Sequence, residues 1–321
     1  IGYNTKMRLK EWFGGPIINV HTRLENKCGE CQPREVIQFT LAGLLEYARR
    51  FSGDKSITVV DTDHAALSIH PDWASDTKQD YFFPQNSEAT VRQISENVAK
   101  RANVVKESKS VQILTGIEAD ILNSSGSLDV NDDVLSKLDF VIASFHYYPW
   151  AANTFAGGEK RHIGIREILM AYERVVANPH VDVLGHPTAD IQRYNRGISF
   201  LTEWEPLLKI MRMTGTAFEL NLSNLLRVKD QDEFDLRVIN LATKHGVNFL
   251  VGLDLHNLKM FGSGLSPNFI IDEETVDKAF DKNRGNANMN FFYSLKRLIR
   301  LLKISGLTQE MIVNSNNDKF K

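Results

Sequence analysis

Five of the nine histidines in the chain stand just behind short apolar runs, and acidic residues stand in matching places. The local patterns are Asn19-Val-His21-Thr-Arg23, Asp61-Thr-Asp63-His64, Ser144-Phe-His146, Gly185-His186-Pro187 and Asp254-Leu-His256. Two further runs carry carboxylates, as Gly116-Ile-Glu118-Ala-Asp120 and Glu219-Leu-Asn221. Imidazoles mixed with carboxylates form the donor set that Zn²⁺ takes, and that Mn²⁺ or Fe also accept. A carboxylate shared between cations lets two or three of them sit side by side. Such a cluster holds a phosphate, lowers the pKa of a bound water and offsets charge on a leaving group. One histidine of this kind is most simply a hydrogen-bonded structural residue. His21, His64, His146, His186 and His256, taken in series with Glu118 and Asp254, read as a metal site.

What positions these residues is an alternation of short β-rich runs and longer helical patterns. Strand patterns cover residues 17–21, 57–61, 111–121, 140–145, 181–184, 217–222 and 248–253. Helical periodicity covers 34–51, 89–105, 163–177, 201–214 and 233–245. Near-continuous Val, Ile, Leu and Phe within the strand runs is the mark of parallel sheets covered by helices on both faces. The expectation is an α/β fold, and the number of units favours a barrel over a doubly wound sheet. In a barrel the C-terminal strand ends converge on one face, which gathers the histidines at a common mouth. The tail after about residue 266 is less regular, with an amphipathic helix near 291–303. No linker stands out. The chain is therefore expected to form one domain over 1–321, with a core about 17–256 and C-terminal helices about 273–321 on the barrel's outside.

Composition narrows the function classes. With 42% hydrophobic and 24% charged residues, the chain has the balance of a soluble globular protein. Lys and Arg number 38 against 40 Asp and Glu, a formal net charge of −2, so the basic excess of a dedicated nucleic-acid binder is missing. No apolar run approaches the ~18–20 residues of a membrane span, and no secretory pattern opens the chain. A cytoplasmic location without membrane attachment is expected. Two cysteines exclude a disulfide scaffold. The first residue is Ile1 rather than Met, as in a fragment of a longer protein or a chain that has lost a tag.

Together these motifs resemble the PHP family (polymerase and histidinol phosphatase domain), and within it the small bacterial metal-dependent phosphoesterases. Thr62-Asp63-His64 is similar to the family's TDH motif. Residues 116–121 (GIEADI), then 125–129 (SGSLD) and 139–146 (DFVIASFH), resemble its third and fourth strands. LGHP at 184–187, FELN at 218–221 and GLDLH at 252–256 follow in family order, and GLTQEMIVN at 306–314 is similar to a closing segment. The resemblance implies a distorted (β/α)7 TIM-like barrel with a multinuclear metal site. It implies one subsite from His21, Glu118 and Asp254, a second involving His64 and His256, and a third from Glu118, His146 and His186. Asp63 would orient the cluster or join it.

The first motif departs from the family's His-x-His behind an Asp. Arg23 replaces the second His, Asn19 replaces the Asp, and no His lies between His21 and His64. Arginine stays protonated and cannot ligate. Its guanidinium either grips a substrate phosphate or takes the place of a cation and removes catalysis. Cys28 and Cys31 fall where a further ligand of the family lies, and a thiolate there suits Zn²⁺; two ordinary loop cysteines or a redox pair are the other readings.

Arg193 and Arg227 follow strand runs five and six closely and are the preferred phosphate contacts; Lys160 and Arg161 after run four and Arg196 after run five are further cations. The expected protein is a hydrolase acting on a small phosphorylated substrate with two or three divalent ions, Zn first and Mn or Fe next. A metal-bound hydroxide attacks phosphorus, Arg23 or Arg227 adds positive charge, and Asp63 or a bound water handles the proton. The alternatives are a phosphodiesterase or 3′–5′ exonuclease, and a catalytically reduced barrel serving as a binding or regulatory module.

Overall fold

The structure is a computed structural model. It describes residues 7–8, 17–20, 58–62, 64–65, 92, 95–96, 98–99, 102–103, 112–145, 164–194, 201–221, 232–252, 270–271, 273–282, 289–305, 307 and 311–312.

Its strands are β1 (Met7–Arg8), β2 (Ile17–Val20), β3 (Thr58–Asp61), β4 (Gln112–Asp120) and β5 (Phe140–Ser144). Then come β6 (Val183–Leu184), β7 (Ala217–Asn221), β8 (Phe249–Gly252) and β9 (Ile270–Ile271). The helices are α1 (Asp132–Leu135), α2 (Ile165–Val175), α3 (Pro187–Tyr194) and α4 (Glu205–Thr214). They continue with α5 (Asp232–Lys244), α6 (Glu273–Lys282) and α7 (Met289–Ser305).

β2 to β8 form one seven-stranded sheet in sequential order, and every neighbouring pair is parallel. β2 also lies beside β8, which closes the sheet into a barrel. The seven strand runs of the sequence thus become seven barrel strands. Where the fifth strand run was expected from 181, β6 begins at Val183; just before it, the Asp182 carboxylate accepts from the Val141 amide at 2.8 Å. The antiparallel pair β1–β9, Met7 opposite Ile271 and Arg8 opposite Ile270, was not expected; two-residue strands leave no periodic signal. Nor was α3, which starts on Pro187 directly behind His186. Proline suits a first helical turn because its missing N–H would have had no partner there.

Alternation along the strands divides the apolar residues into two cores. Val60, Leu114, Phe140, Ile142, Val183, Ala217 and Leu250 form a cluster of their own, which fills the barrel interior. Their chain neighbours Val141, Ala143, Leu184, Phe218, Phe249 and Val251 point outward into the larger core shared with the helices. There Trp204 and Phe249 flank Phe218, with ring centroids 6.3 and 5.7 Å from it. α7 packs on α5, so this C-terminal helix lies against the helical layer. Gly215 ends α4 at φ 83, a left-handed conformation that favours glycine.

Candidate metal centre

The inward parity that places Val60, Leu114, Ile142, Val183, Ala217 and Leu250 in the barrel interior runs on toward the C-terminal strand ends. Two-residue steps reach Thr62 and His64 after β3, Glu118 and Asp120 on β4, and Ser144 on β5. They reach Gly185 after β6, Glu219 and Asn221 on β7, and Gly252 on β8. The interior is therefore apolar at its base and polar at its mouth, with glycines leaving room between.

Glu118 is the centre of this layer. Its side chain is 1% exposed, and His64 and His186 beside it are 4% and 5% exposed. The β3–β4 register carries on past Asp61 to set His64 opposite Glu118 as an isolated parallel bridge, sealed by the Ala65 amide donating to the Glu118 carbonyl at 3.2 Å. His64 Nδ1 lies 3.4 Å from Glu118 Oε2, and His186 Nε2 lies 3.2 Å from Glu118 Oε1. Ser144 Oγ donates to the same Oε1 at 2.6 Å. One carboxylate, two residues from the end of its strand, is thus met by an imidazole on each oxygen.

A second buried carboxylate holds the other end of His186. Glu219 is 2% exposed, and its Oε2 accepts from the His186 backbone N–H at 2.8 Å and from Asn221 Nδ2 at 3.3 Å. His186 has φ 28, the one positive φ outside glycine among the described residues. A non-glycine residue in such a conformation costs roughly 1–3 kcal/mol and persists only where its surroundings hold it. The flanking glycines follow from the same crowding. A Cβ on Gly185 would sit 1.9 Å from Ser144 Oγ, and one on Gly252 would sit 1.7 Å from Glu219 Oε1.

Of the residues expected at the site, the structure brings together His64, Glu118 and His186. Arg193 falls in the last turn of α3, and its side chain lies outside the described residues. So do His21, Arg23, Cys28, Cys31, Asp63, His146, Arg227, Asp254 and His256. Among the described residues no group of three or more His, Cys, Asp or Glu is gathered closely enough to hold a metal ion alone. The chemistry of the donors still fits a divalent ion, since two imidazole nitrogens and a carboxylate share one buried spot. Ser144, Glu219 and the two glycines were missed as parts of the site. Their inward parity at strand ends was the signal available; Glu219 stood in a quoted carboxylate run without a role, while a serine and two glycines carry no metal-ligand signal.

No family model matches the chain. Over 156 residues it is 35% identical to the DNA polymerase/3′–5′ exonuclease PolX of Bacillus subtilis, a match covering 48% of this chain and 24% of that protein. Over 148 residues it is 32% identical to a probable phosphatase of Clostridium botulinum, covering 46% of this chain and 54% of that one. The chain thus spans about half the length of that phosphatase and about a quarter of the polymerase. Among solved structures, a histidinol phosphate phosphatase of Lactococcus lactis, complexed with zinc, L-histidinol and phosphate, aligns over 85% of this chain and 94% of its own. Its TM-score of 0.40 and 16% identity are too low to bear on function. Over about half its length the chain is thus similar to a PolX and to probable phosphatases, and the motifs that resemble the PHP family run in order from Thr62-Asp63-His64 to the strand that ends at Gly252.

Proposed function

We propose that the chain is a metal-dependent phosphoesterase. The observation that carries this reading is the Glu118 carboxylate with His64 on one oxygen and His186 on the other, buried at the C-terminal mouth of a closed parallel barrel. A carboxylate met on both oxygens is suited to lie between cations, and the probable phosphatases among the relatives support the same reaction class. Divalent ions here, Zn²⁺ by the nitrogen content of the donor set, would hold phosphoryl oxygens and activate a water for attack at phosphorus. In this reading His21, His146, Asp254 and His256 complete the ligand set for two or three ions, with Cys28 or Cys31 as a further donor. Asp63 handles the proton, and Arg23, Arg193 and Arg227 bind the phosphate. The substrate is a small phosphate monoester.

A second reading, cleavage of phosphodiesters as in a 3′–5′ exonuclease, is favoured by the PolX match alone, and a net charge of −2 speaks against a long nucleic-acid track. The test begins with metal content per chain, by plasma mass spectrometry on protein purified without chelators, beside Glu118→Ala. Two or three equivalents in the wild type, lost in the variant, are expected. Hydrolysis of p-nitrophenyl phosphate, of its bis ester and of single-stranded DNA then separates monoesterase from diesterase. A wild type that binds no divalent ion and hydrolyses none of the three would leave a binding module as the better account.

A further inference from the structure

We propose that Glu219 is a positioning residue that fixes His186 on Glu118 by gripping the His186 main chain. The inference rests on the metal reading above only for its consequence, not for its geometry. His186 is held at both ends by buried carboxylates: its ring lies 3.2 Å from Glu118 Oε1, and its amide donates to Glu219 Oε2 at 2.8 Å. The two acids stand on β4 and β7, so His186 ties together parts of the barrel mouth that share no ladder.

Three features show that this grip is built rather than incidental. His186 sits at φ 28, a positive value uncommon outside glycine that persists where the surroundings hold it. A charged acceptor on its amide supplies a strong bond to offset that cost. Second, Glu219 is itself aimed. Asn221, two residues along the same strand and on the same face, donates to the very oxygen that holds the amide. Third, the other oxygen occupies the space that a side chain at position 252 would fill, so glycine is required on β8. Rotation of the Glu219 carboxylate would be limited by both neighbours. With the backbone of His186 fixed, and α3 starting at the next residue, little freedom remains except in its side-chain torsions. Its ring then reaches Glu118 without a search. A ligand whose orientation is set before the ion arrives binds that ion more tightly, and loss of such support typically costs 10–100-fold in affinity.

Selectively labelled histidine, followed by NMR in metal-free protein, tests this directly, with His180 and His245 at the opposite end of the barrel as internal references. Glu219→Gln keeps the shape and one acceptor oxygen. The His186 amide proton should move upfield as its acceptor loses charge, while the ring resonances stay. Glu219→Ala removes the acceptor, so the ring resonances should move too, with those of His180 and His245 unchanged. Should Glu219→Ala fail to fold, Glu219→Asp, which draws the carboxylate back by one methylene, should displace the ring signals in its place. Zn²⁺ titration by calorimetry should show affinity lost about 10–100-fold in the variant that displaces the ring and far less in Glu219→Gln. An unmoved amide in Glu219→Gln overturns the proposal. So does an unmoved ring in folded Glu219→Ala or Glu219→Asp, or a displaced ring with unaltered Zn²⁺ affinity. A wild type that takes up no Zn²⁺ overturns the metal reading alone and leaves the ring and amide signals to judge Glu219.

Discussion

Gly185→Ala is the sharpest probe of how the barrel mouth is packed. A methyl at this position would lie 1.9 Å from Ser144 Oγ and 2.9 Å from Ile142 Cγ2, both well inside contact distance. Ile142 is fully buried in the interior cluster and has little room to move, so the hydroxyl must give way. Ser144 then loses its 2.6 Å bond to Glu118 Oε1. Overpacking a tight core costs about 1–3 kcal/mol, and a hydrogen bond to a charged group contributes about 1.5–3 kcal/mol. The expected loss is their combination, about 2.5–6 kcal/mol, against a typical stability of about 5–15 kcal/mol. Ser144→Ala should cost only the hydrogen bond, about 1.5–3 kcal/mol. Because it also removes the atom that the new methyl strikes, adding Gly185→Ala to it should cost much less than adding it to the wild type. The cycle should show a coupling of at least about 1.5 kcal/mol, within the range seen for residues in contact. Equilibrium urea denaturation of the four proteins measures it. Additive losses, or a Gly185→Ala protein as stable as the wild type, would refute the reasoning that a single hydroxyl links β6 packing to Glu118.

At the opposite end of the barrel, Asp139 accepts from both the Thr115 amide, at 2.8 Å, and the Thr115 hydroxyl, at 2.7 Å. Asp139→Ala should lower stability by about 1–3 kcal/mol while leaving metal content per folded chain unchanged; loss of bound metal would show a link from base to mouth that the described residues do not contain. Arg193→Ala and Arg227→Ala should raise KM for a phosphate monoester with little change in kcat, and an unaltered KM in steady-state assays removes them from the substrate site.

Much of the scaffold was legible because its signals are local. A parallel strand buried on both faces is largely apolar, and β5, β7 and β8 are buried along their whole length, with Ser144, Glu219 and Asn221 the polar exceptions. Helical patterns at 163–177 and 233–245 became α2 and α5 with ends shifted by one or two residues, since terminal turns depend on caps more than on periodicity. His64, Glu118 and His186 could be singled out for the same reason: each is a ligand-type residue at or just past the end of a strand run, and period-two alternation fixes the face each shares with its strand.

Which of these side chains meet was decided only by the tertiary structure. Glu118 and Ser144 are brought together by the β4–β5 register, which pairs Asp120 with Ser144 and leaves the hydroxyl within reach of the acid one step back along the same face. Glu219 reaches the His186 amide across 33 residues of chain, by way of a parallel β6–β7 ladder that pairs Leu184 with Phe218. Nothing in FELN or LGHP states that contact, because register between strands joined by long crossovers comes from packing of the helices and the closure of the barrel. The residue types that could do chemistry are a property of the sequence. The roles of Gly185 and Gly252 as vacant space, and of Glu219 as a hold on a main chain, exist only once β4, β5, β6, β7 and β8 stand side by side.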